Sequence, residues 1–454
     1  MNSKIFREYD IRGNYPTDIN EDVAYKIGKS FGSYIKKMNK NKALIGYDNR
    51  LSSPSLASNL INGILDTGVD VVNLGLVTTP MYYYGRVLLD IWSGIMITAS
   101  HNPATDNGFK MSFTNIGNAV GSEIYDFRDF TFKEEFIDGK GTLSTYDIKD
   151  DYVNLVKNSL KFDKKVKVVV DLGNGTGSII IKDVLNKLPL EYELLFEESD
   201  GTFPHHHPDP AVASNLVDLQ KKVVELNYDL GFAIDADGDR VRVVDNKGNI
   251  IDTDIYMAIM YRYLYPNLKT KAALYDVKCS KSLIDEVERL GLKQIMNRTG
   301  NSYQYRKVAE TNVDFGGEYS GHLFFNDRYP GIDDGIYAGL RMCEVVSNQD
   351  KTMYELTKGF NTYYKTDELK IQVTDENKFQ IIEELKKYLD LKQYKYNALD
   401  GVRVTFDDGW GLIRCSNTGP NLTLRFEANK ESRLEEIKNE LMEEVNKIIK
   451  DVLK

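Results

Sequence analysis

The sequence has few cysteines, and their spacing is wrong for a disulfide framework or a cysteine-ligated zinc site. Its three cysteines, Cys279, Cys343 and Cys415, are scattered along the chain and show no CxxC spacing. Disulfide-rich secreted domains and zinc modules have denser and more regular patterns. The cysteine content fits a reducing compartment, so we expect a cytoplasmic protein.

Long apolar runs are also missing. The chain has no stretch of about eighteen apolar residues, so we expect no segment that spans a membrane. Residues 1–8 include charged side chains but lack the apolar segment of a signal peptide, so none is expected. Low-complexity segments and Pro- or Gly-rich linkers are absent as well.

The sequence also has no excess of basic residues. The formal net charge is −10, and no basic stripe of the kind that binds nucleic acid is visible. An anionic small molecule is still compatible with this charge, because a local cluster of Arg and Lys can form a positive cleft in an acidic protein. We therefore expect a small-molecule partner, no nucleic acid, no membrane, and a monomer or homodimer.

The chain of 454 residues is long enough for three or four domains. Short apolar runs that end in turn residues recur through roughly the first 330 residues, and they alternate with helical stretches such as 22–38. This alternation predicts βαβ units and mostly parallel sheets, in which ligands bind at the carboxyl ends of strands. The predicted strands include 43–48, 94–98, 166–171, 230–235 and 272–276.

The last ninety or so residues have a different pattern. Leu422, Leu424 and Phe426 alternate with polar residues, as in a half-buried strand. Apolar residues between Leu434 and Val452 recur at helical spacing and predict an amphipathic C-terminal helix. A smaller α+β domain is expected here, and the changes of pattern place domain boundaries near residues 150, 250 and 365.

A serine follows one of the predicted strands directly. Ser100 lies in Thr-Ala-Ser-His-Asn-Pro, residues 98–103, and the polar stretch 107–110 comes soon after. A serine hydroxyl at the end of a strand can act as a nucleophile or carry a phosphate. A turn or helix cap built from Ser, Asn and Pro would explain the same residues. The GxSxG turn of serine hydrolases is absent.

Three aspartates follow another predicted strand. Asp235, Asp237 and Asp239 alternate in a short stretch, and such an oxygen-rich set suits a hard cation such as Mg²⁺. A calcium EF-hand does not fit, because Gly238 is fourth where the glycine should be sixth, and Asn246 stands where Glu is required. A solvated acidic turn remains as an alternative, but it explains poorly why three acids follow a buried-looking strand.

Two further polar stretches are candidates for ligand binding. Residues 316–322 place a carboxylate and a hydroxyl between glycines, which suits binding of sugar hydroxyls or a plain Gly-rich turn. Residues 414–420 combine an arginine with small polar side chains, which suits a phosphate site or a plain hairpin loop. Residues 173–177 only approximate the GxGxxG spacing of a dinucleotide site, since Ser178 replaces the third glycine; we interpret them as a tight turn.

Taken in order, these four stretches resemble the α-D-phosphohexomutase family, in its phosphomannomutase/phosphoglucomutase branch. Residues 6–13 and 203–210 add to the resemblance, which runs over nearly the whole chain. It implies three related mixed or parallel α/β domains and a smaller C-terminal α+β domain around a central cleft. The corresponding ranges are 1–150, 151–250, 251–364 and 365–454, and each would contribute one functional loop: for the phosphoserine, the metal, the sugar and the phosphate, respectively.

The resemblance also implies roles for individual residues. Ser100 matches the phosphoserine of the family, and one of its phosphate oxygens would join Asp235, Asp237 and Asp239 around one Mg²⁺ per chain. The expected catalytic residues are Ser100, Arg12, Lys110, Arg240 and His101. The expected substrate-binding residues are Tyr9, Lys278, Asn301, Glu318, Ser320, His322, Arg414, Ser416, Asn417 and Thr418.

The implied activity moves a phosphate between the 6- and 1-positions of mannose or glucose. A hexose 1,6-bisphosphate would be both intermediate and activator. The chain departs from the branch at Asn301, where histidine is common and substrate preference is open to change, and at Gly419, where a larger residue is common. Alternatives are a phosphoglucosamine mutase, a metal-dependent sugar phosphatase or kinase, and a non-catalytic sugar-phosphate-binding regulator. The kinase is disfavoured because no Walker loop is present.

Overall fold

The computed structural model describes residues 1–416 and 419–452. Within them the chain forms three α/β/α domains with mixed sheets and a C-terminal domain with an antiparallel sheet. This agrees with the fold class predicted from the sequence. In the same residues, no helix is both long enough and apolar enough to cross a membrane.

The first domain contains a six-stranded sheet in the order β1-β5-β4-β2-β3-β6. Its strands are β1 (Ile11–Asn14), β2 (Lys42–Tyr47), β3 (Asp70–Leu76), β4 (Gly94–Ile97), β5 (Asp106–Ser112) and β6 (Leu143–Thr145). Its helices are α1 (Glu21–Lys37), α2 (Ser53–Leu65), α3 (Thr79–Leu88) and α4 (Ser122–Lys133). Strands β2, β3, β4 and β6 are parallel, whereas β5 runs antiparallel to β4 and to β1.

The second domain contains a five-stranded sheet in the order β11-β10-β9-β7-β8. Its elements are α5 (Lys149–Ser159), β7 (Val166–Asp171), α6 (Ile181–Leu185), β8 (Leu190–Leu195), α7 (Val217–Leu226), β9 (Leu230–Ile234), β10 (Val241–Asp245) and β11 (Ile250–Ile251). Strands β7, β8 and β9 are parallel, and β10 returns antiparallel to β9.

The third domain contains a four-stranded sheet in the order β13-β12-β14-β15, whose last pair is antiparallel. Its elements are α8 (Thr253–Leu264), β12 (Ala272–Asp276), α9 (Lys281–Arg289), β13 (Lys293–Asn297), α10 (Asn301–Thr311), β14 (Phe315–Gly317), β15 (Leu323–Phe325), α11 (Gly335–Ser347) and α12 (Met353–Leu356). Helix α11 crosses back over the sheet of the second domain, where it contacts β9 and β10.

The C-terminal domain is built on antiparallel strands in the order β16-β21-β20-β19-β18, and β17 also pairs with β21. Its elements are β16 (Tyr364–Lys365), β17 (Leu369–Gln372), α13 (Lys378–Leu391), β18 (Tyr396–Asn397), β19 (Val402–Phe406), β20 (Gly409–Cys415), β21 (Asn421–Ala428) and α14 (Glu431–Val452). The apolar face of α14 packs with α13 on this sheet, as the helical periodicity of its sequence predicts.

The predicted strands are found close to their expected positions, as β2, β4, β7, β9 and β12. The mixed or parallel sheets expected from the sequence are confirmed, and each of the first three sheets also contains an antiparallel hairpin. The connections inside these hairpins are too short for the crossover of about a dozen residues that parallel strands require. Each hairpin therefore reverses the chain at the point where the polar motif occurs.

Four connecting segments at equivalent places in the four sheets carry the polar motifs. We call them the serine turn (98–105, between β4 and β5), the aspartate turn (235–240, between β9 and β10), the glutamate turn (318–322, between β14 and β15) and the C-terminal turn (416–420, between β20 and β21). This repeated placement explains why motifs far apart in sequence occur at the same structural position.

The apolar cores distinguish the first three domains from the last. One buried cluster runs through the first three domains and includes Tyr82, Phe232 and Tyr275, and the first domain has a second cluster of its own. The C-terminal domain has its own cluster around α13 and α14. A small cluster of Val277, Trp410 and Leu412 links the C-terminal domain to the third.

Candidate active site

The described parts of the four turns meet at one cavity of about 640 Å³. Cavities of several hundred Å³ suit small-molecule ligands. Its lining includes every predicted catalytic and substrate-binding residue that the structure describes, namely Tyr9, Arg12, Ser100, His101, Lys110, Arg240, Lys278, Asn301, Glu318, Ser320, His322, Arg414 and Ser416. The predicted Asn417 and Thr418 lie outside the described residues.

Ser100 is held in an unusual backbone conformation. Its φ of +49° lies in the left-handed region, which costs a non-glycine residue about 1–3 kcal/mol. The Ser100 amide donates to Thr98 Oγ1 at 2.8 Å. Its side-chain Oγ donates to Asp235 Oδ2 at 3.0 Å and lies 3.2 Å from His101 Nδ1. The strained turn therefore points the serine hydroxyl at the aspartate turn of the next domain.

The three aspartates form a fully buried cluster beneath the cavity. Asp235 Oδ1 accepts hydrogen bonds from the amides of Asp239 at 3.0 Å and Arg240 at 3.1 Å. Burial, together with the neighbouring carboxylates of Asp239 and Asp237, raises the pKa of Asp235 well above its ordinary value. The cluster therefore concentrates more negative charge than a buried site favours without a cation.

Lys110 supplies one of the compensating charges. Its Nζ donates to Asp237 Oδ2 at 2.8 Å and to Asp239 Oδ2 at 2.7 Å. Burial disfavours the ammonium, but the carboxylates of Asp237 and Asp239 outweigh it and raise the pKa of Lys110. The residue projects from β5, so the antiparallel return after the serine turn is what brings it to the aspartates.

The chemistry of the aspartate cluster fits a divalent cation. Carboxylate oxygens of the three residues lie within 4.8 Å of one another. Asp237 Oδ1 and Asp239 Oδ1 are buried, and neither has a hydrogen-bond partner among the residues that the structure describes. A buried acceptor left without a partner costs about 1–3 kcal/mol, and a hard, oxygen-seeking cation would satisfy both atoms. The residues present can therefore hold a metal ion.

A chain of contacts runs from Arg240 into the third domain. Arg240 Nε donates to His322 Nε2 at 2.9 Å, and His322 Nδ1 lies 2.8 Å from Asp333 Oδ2. Burial and Arg240 disfavour the charged imidazole, but the carboxylates of Asp239 and Asp333 outweigh them and raise the pKa of His322. Asn301 Nδ2 donates to the same Asp333 oxygen at 3.2 Å. Asp333 is thus the group that orients both His322 and Asn301.

The glutamate turn faces the middle of the cavity. Glu318 Oε2 accepts from the Gly300 amide at 2.8 Å, and Ser320 Oγ donates to Glu318 Oε1. Lys278 also lines the cavity and forms an ion pair with Glu368 at 3.1 Å. The carboxylate and hydroxyl are fixed side by side, as recognition of a pair of neighbouring hydroxyls requires.

The C-terminal domain contributes a buried arginine. Arg414 Nε donates to Asp400 Oδ2 at 2.9 Å. Its Nη2 is buried and has no hydrogen-bond partner within residues 1–416 and 419–452. Lys370 and Thr423 line the same end of the cavity. A buried guanidinium with an unused donor is suited to bind an anion.

Comparison with known protein families shows to which family the chain belongs. Sequence models of the four domains of phosphoglucomutase/phosphomannomutase match the chain: α/β/α domain I at residues 3–136, domain II at 150–248, domain III at 252–363 and the C-terminal domain at 368–444. The chain belongs to the phosphoglucomutase/phosphomannomutase family. This agrees with the family resemblance noted in the sequence.

Full-length relatives support the same assignment. A phosphomannomutase/phosphoglucomutase of Pseudomonas syringae pv. tomato is 38% identical over 449 residues, covering 99% of this chain and 96% of that protein. A phosphoglucomutase of Neisseria meningitidis serogroup A is 35% identical over 440 residues, 96% of this chain and 95% of that protein. The crystal structure of a phosphoglucomutase/phosphomannomutase family protein from Burkholderia thailandensis is similar, with a TM-score of 0.91 and 34% identity; the match covers 99% of this chain and 98% of that one. The chain is therefore a phosphomannomutase/phosphoglucomutase enzyme.

Some residues of this phosphomannomutase/phosphoglucomutase site were not found by sequence reasoning. They belong to no motif identified in the sequence. Those that line the cavity include Arg242, Thr299, Glu368, Lys370, Asn421 and Thr423, and Asp333 contacts His322 beside it. The Asp-Asp pair at 333–334, between two glycines and before α11, is the one local signal that was available. The others become visible only when strands from separate domains are brought together.

Proposed function

We propose that this enzyme interconverts hexose 6-phosphate and hexose 1-phosphate, of mannose, glucose or both, through a phosphorylated Ser100. The observation that carries the proposal is the contact of Ser100 Oγ with Asp235 at 3.0 Å, beside two buried aspartate oxygens without partners. The serine faces a cavity whose lining is rich in arginine and lysine. A phosphoryl group on Ser100 would lie between the aspartate cluster and these cations.

The aspartate cluster would hold one Mg²⁺, with Asp235, Asp237 and Asp239 as its protein ligands together with a phosphoserine oxygen. When bound, the ion would supply positive charge to the oxygens of the transferring phosphoryl group. Lys110 already contacts the Oδ2 atoms of two of these aspartates, which leaves their Oδ1 atoms for the ion.

The protein's task in phosphoryl transfer is mainly positioning and charge stabilisation. Arg240 Nε lies 3.7 Å from Asp235 Oδ2, next to the position of the phosphoryl group. Arg12 is anchored by Asn102 Oδ1 at 2.8 Å and by Asp10 at 2.5 Å, so its guanidinium is fixed at the cavity wall. Lys110 and Arg12 would stabilise charge near the reacting sugar oxygen, and His101 lies against the serine hydroxyl.

The reaction would consist of two transfers. A sugar hydroxyl attacks phosphorus as the bond from phosphorus to Ser100 Oγ breaks, which gives a hexose 1,6-bisphosphate. The bisphosphate turns end over end, and Ser100 Oγ attacks its other phosphate as that ester bond breaks. The isomeric monophosphate then leaves, and the phosphoenzyme is restored. A trace of bisphosphate would activate unphosphorylated enzyme by the second of these transfers.

The remaining contacts would hold the sugar in either orientation. Glu318 and Ser320 would bind the 3- and 4-hydroxyls, while Arg414 and Ser416 would bind the phosphate that does not react, with Asn417 and Thr418 as further expected ligands. Tyr9 and Lys278 would line the path between them. The 2-hydroxyl, whose configuration distinguishes glucose from mannose, would not be recognised by the protein.

Dual specificity follows from that arrangement. We expect the kcat/KM values for glucose 1-phosphate and mannose 1-phosphate to differ by less than about a hundredfold, or roughly 2.7 kcal/mol. A larger preference would contradict binding through the 3- and 4-hydroxyls alone.

A panel of hexose 1-phosphates, assayed with Mg²⁺ and a trace of bisphosphate, tests the proposed function. We expect formation of the 6-phosphate without release of inorganic phosphate. Release of inorganic phosphate would support a sugar phosphatase instead, and turnover restricted to glucosamine phosphate would support a phosphoglucosamine mutase. Peptide mapping of the phosphoenzyme distinguishes Ser100 from an aspartyl phosphate on Asp235.

A further inference from the structure

A fully buried arginine lies beneath the serine turn. Arg50 follows β2, and its side chain is completely shielded from solvent. The two terminal nitrogens of its guanidinium donate to four backbone carbonyl oxygens. These belong to Ser100 at 2.6 Å, Asn102 at 2.7 Å, Pro103 at 2.5 Å and Asp106 at 3.0 Å. One side chain therefore fixes the backbone of almost the entire serine turn.

The guanidinium is itself fixed from two sides. Asp48 Oδ2 accepts from Arg50 Nε at 3.2 Å, and Asp48 Oδ1 accepts from the Arg50 amide at 3.1 Å. The ring of Phe203, from the second domain, lies 5.3 Å from the guanidinium carbon. Both charged side chains are excluded from water, so the orientation of the guanidinium is set by the fold and not by solvent.

Three of the four carbonyls that Arg50 binds belong to the serine turn, whose conformation is otherwise unfavourable, and the fourth belongs to Asp106 at the start of β5. Ser100 has a positive φ, and its hydroxyl contacts Asp235 from that conformation. Such conformations persist only where the surroundings determine them. Arg50 satisfies the turn's carbonyl groups in this one geometry, although it is not itself among the described residues that line the cavity.

We propose that Arg50 is a positioning residue for phosphoryl transfer, which holds the serine turn so that Ser100 Oγ faces the aspartate cluster. This inference rests on the proposed function, since it assumes that Ser100 carries the phosphate. Lysine cannot replace Arg50 in this role, because an ammonium lacks the planar pair of terminal nitrogens that reaches four carbonyl oxygens. A misplacement of about 1 Å at a reacting group can reduce the rate about a hundredfold.

The chain offers a matched control in Arg86. Arg86 lies on α3 of the same domain, is 1% exposed, and donates to the carbonyl oxygens of Thr114 at 2.8 Å and Trp92 at 3.3 Å. Its replacement by lysine removes a comparable buried guanidinium without touching the serine turn. Arg50→Lys and Arg86→Lys are therefore compared in steady-state assays, at a temperature where both variants are folded.

We expect Arg50→Lys to lower kcat by at least about a hundredfold while KM for the hexose phosphate stays within about threefold. Arg86→Lys should keep kcat within about threefold of the parent. The rate of phosphoryl transfer from pre-phosphorylated enzyme, measured by rapid quench, should fall in Arg50→Lys by the same factor as kcat. A general loss of stability would not slow this single step. Equal kcat values for the two variants, or a loss expressed in KM alone, would overturn the proposal.

A milder variant covers the case in which Arg50→Lys does not fold. Asp48→Asn keeps the arginine but removes the charge that orients it, and we expect kcat to fall about tenfold with KM unchanged. An unchanged kcat in folded Asp48→Asn would overturn the proposal.

Peptide mapping of the parent enzyme distinguishes failure of the proposed function from failure of the role of Arg50. A phosphate found elsewhere than Ser100 refutes the proposed function, whereas phospho-Ser100 with an unimpaired Arg50→Lys refutes only the role of Arg50.

Discussion

The two ends of the cavity are held in place by different kinds of contact. The end with Ser100 and the aspartates lies between domains that share one continuous apolar core. Direct hydrogen bonds add to it, such as that of Thr79 Oγ1 to Asp237 Oδ2 at 2.7 Å across the first two domains. The end with Arg414 belongs to a domain whose apolar core is separate. The residues that we propose for phosphoryl transfer therefore lie between the more firmly connected domains.

The C-terminal domain contacts the third domain through polar groups that surround a small apolar cluster. Arg403 Nη1 donates to the carbonyl of Val277 at 2.7 Å, and Glu427 Oε1 accepts from the Lys281 amide at 2.8 Å. Trp410 packs between them, with its ring 4.0 Å from the Arg403 guanidinium. Polar contacts between domains of one chain allow relative motion more readily than a shared apolar core. Given the proposed function, we infer that the region of Ser100 and the three aspartates is a fixed transfer centre. The region of Arg414 would be a movable substrate clamp.

Removing one carboxylate from the transfer centre should have the largest effect. Asp237→Asn removes the negative charge of one proposed cation ligand, whose Oδ1 has no hydrogen-bond partner among the described residues, so we expect kcat to fall at least about a thousandfold, or roughly 4 kcal/mol. KM should change little, because the substrate clamp is untouched. Steady-state kinetics over a range of Mg²⁺ concentrations measures both.

Asp245→Asn is the control for that variant. Asp245 is a buried aspartate in the same sheet, but its Oδ1 accepts from the amides of Lys247 at 2.8 Å and Asn249 at 3.0 Å and serves a turn away from the cavity. Its kcat should remain within about threefold of the parent. If Asp245→Asn lost as much activity as Asp237→Asn, the loss in Asp237→Asn would be due to impaired folding and not to impaired cation binding.

A buried carboxyl within the fixed part of the molecule should make its stability depend on pH. Burial raises the pKa of Asp334 from 3.8 to about 6, while hydrogen bonds from Tyr337, Tyr329 and Tyr152 oppose the rise. The folded state binds this proton more tightly than the unfolded state. The stability it contributes is therefore complete below about pH 4 and is lost as the pH rises through about 6.

Asp334→Asn tests this dependence, because the amide cannot lose a proton. Relative to the parent, the variant should gain up to roughly 3 kcal/mol of stability between about pH 4 and about pH 7.5. Thermal unfolding at several pH values, followed by hydrogen exchange in α11, gives the comparison. Parallel pH profiles for the two proteins would show that Asp334 does not titrate as described.

Loss of the guanidinium in the movable domain should act on substrate binding. Arg414→Met removes a buried charged donor, which contributes about 2 kcal/mol, so we expect KM to rise about thirtyfold with a smaller change in kcat. Arg433→Met serves as control, since Arg433 pairs with Asp408 at 3.0 Å on the outside of the same domain. A change confined to kcat would indicate that Arg414 acts in phosphoryl transfer and not in substrate binding, which would contradict the distinction between the two ends of the cavity.

The smallest expected signal is a change of shape on binding. If the C-terminal domain closes around the bisphosphate by a hinge near residue 365, solution scattering should show a slightly more compact particle with sugar bisphosphate than without it. The polar contact surface described above permits this motion. Identical scattering profiles would indicate that all four domains form one rigid unit.

The sequence predicted the fold and the centre of the site well, for a definable reason. The apolar runs before Ser100 and Asp235 predicted the strands β4 and β9. A polar motif directly after a buried strand lies at the edge of the sheet where ligands bind. The family resemblance then linked the motifs. The turn chemistry of 98–103 alone would have favoured a simple turn or helix cap over a functional serine.

What escaped prediction depends on contacts between segments far apart in the chain. Lys110 was an expected catalytic residue, but its contact with the aspartates depends on the reversal of β5, which no local pattern in the sequence shows. Asp333 and Arg50 act through side chains and carbonyls of other segments, so no local pattern marks them. The polar contact of the C-terminal domain is likewise a property of the assembled structure.

The most direct test of the central claim concerns a single oxygen atom. Ser100→Ala removes the hydroxyl that would carry the phosphate and leaves the aspartates and the cavity in place. We expect this variant, shown to be folded, to interconvert hexose 6- and 1-phosphates at least about a thousandfold more slowly than the parent. Turnover by Ser100→Ala at the rate of the parent would contradict a mechanism through phosphoserine.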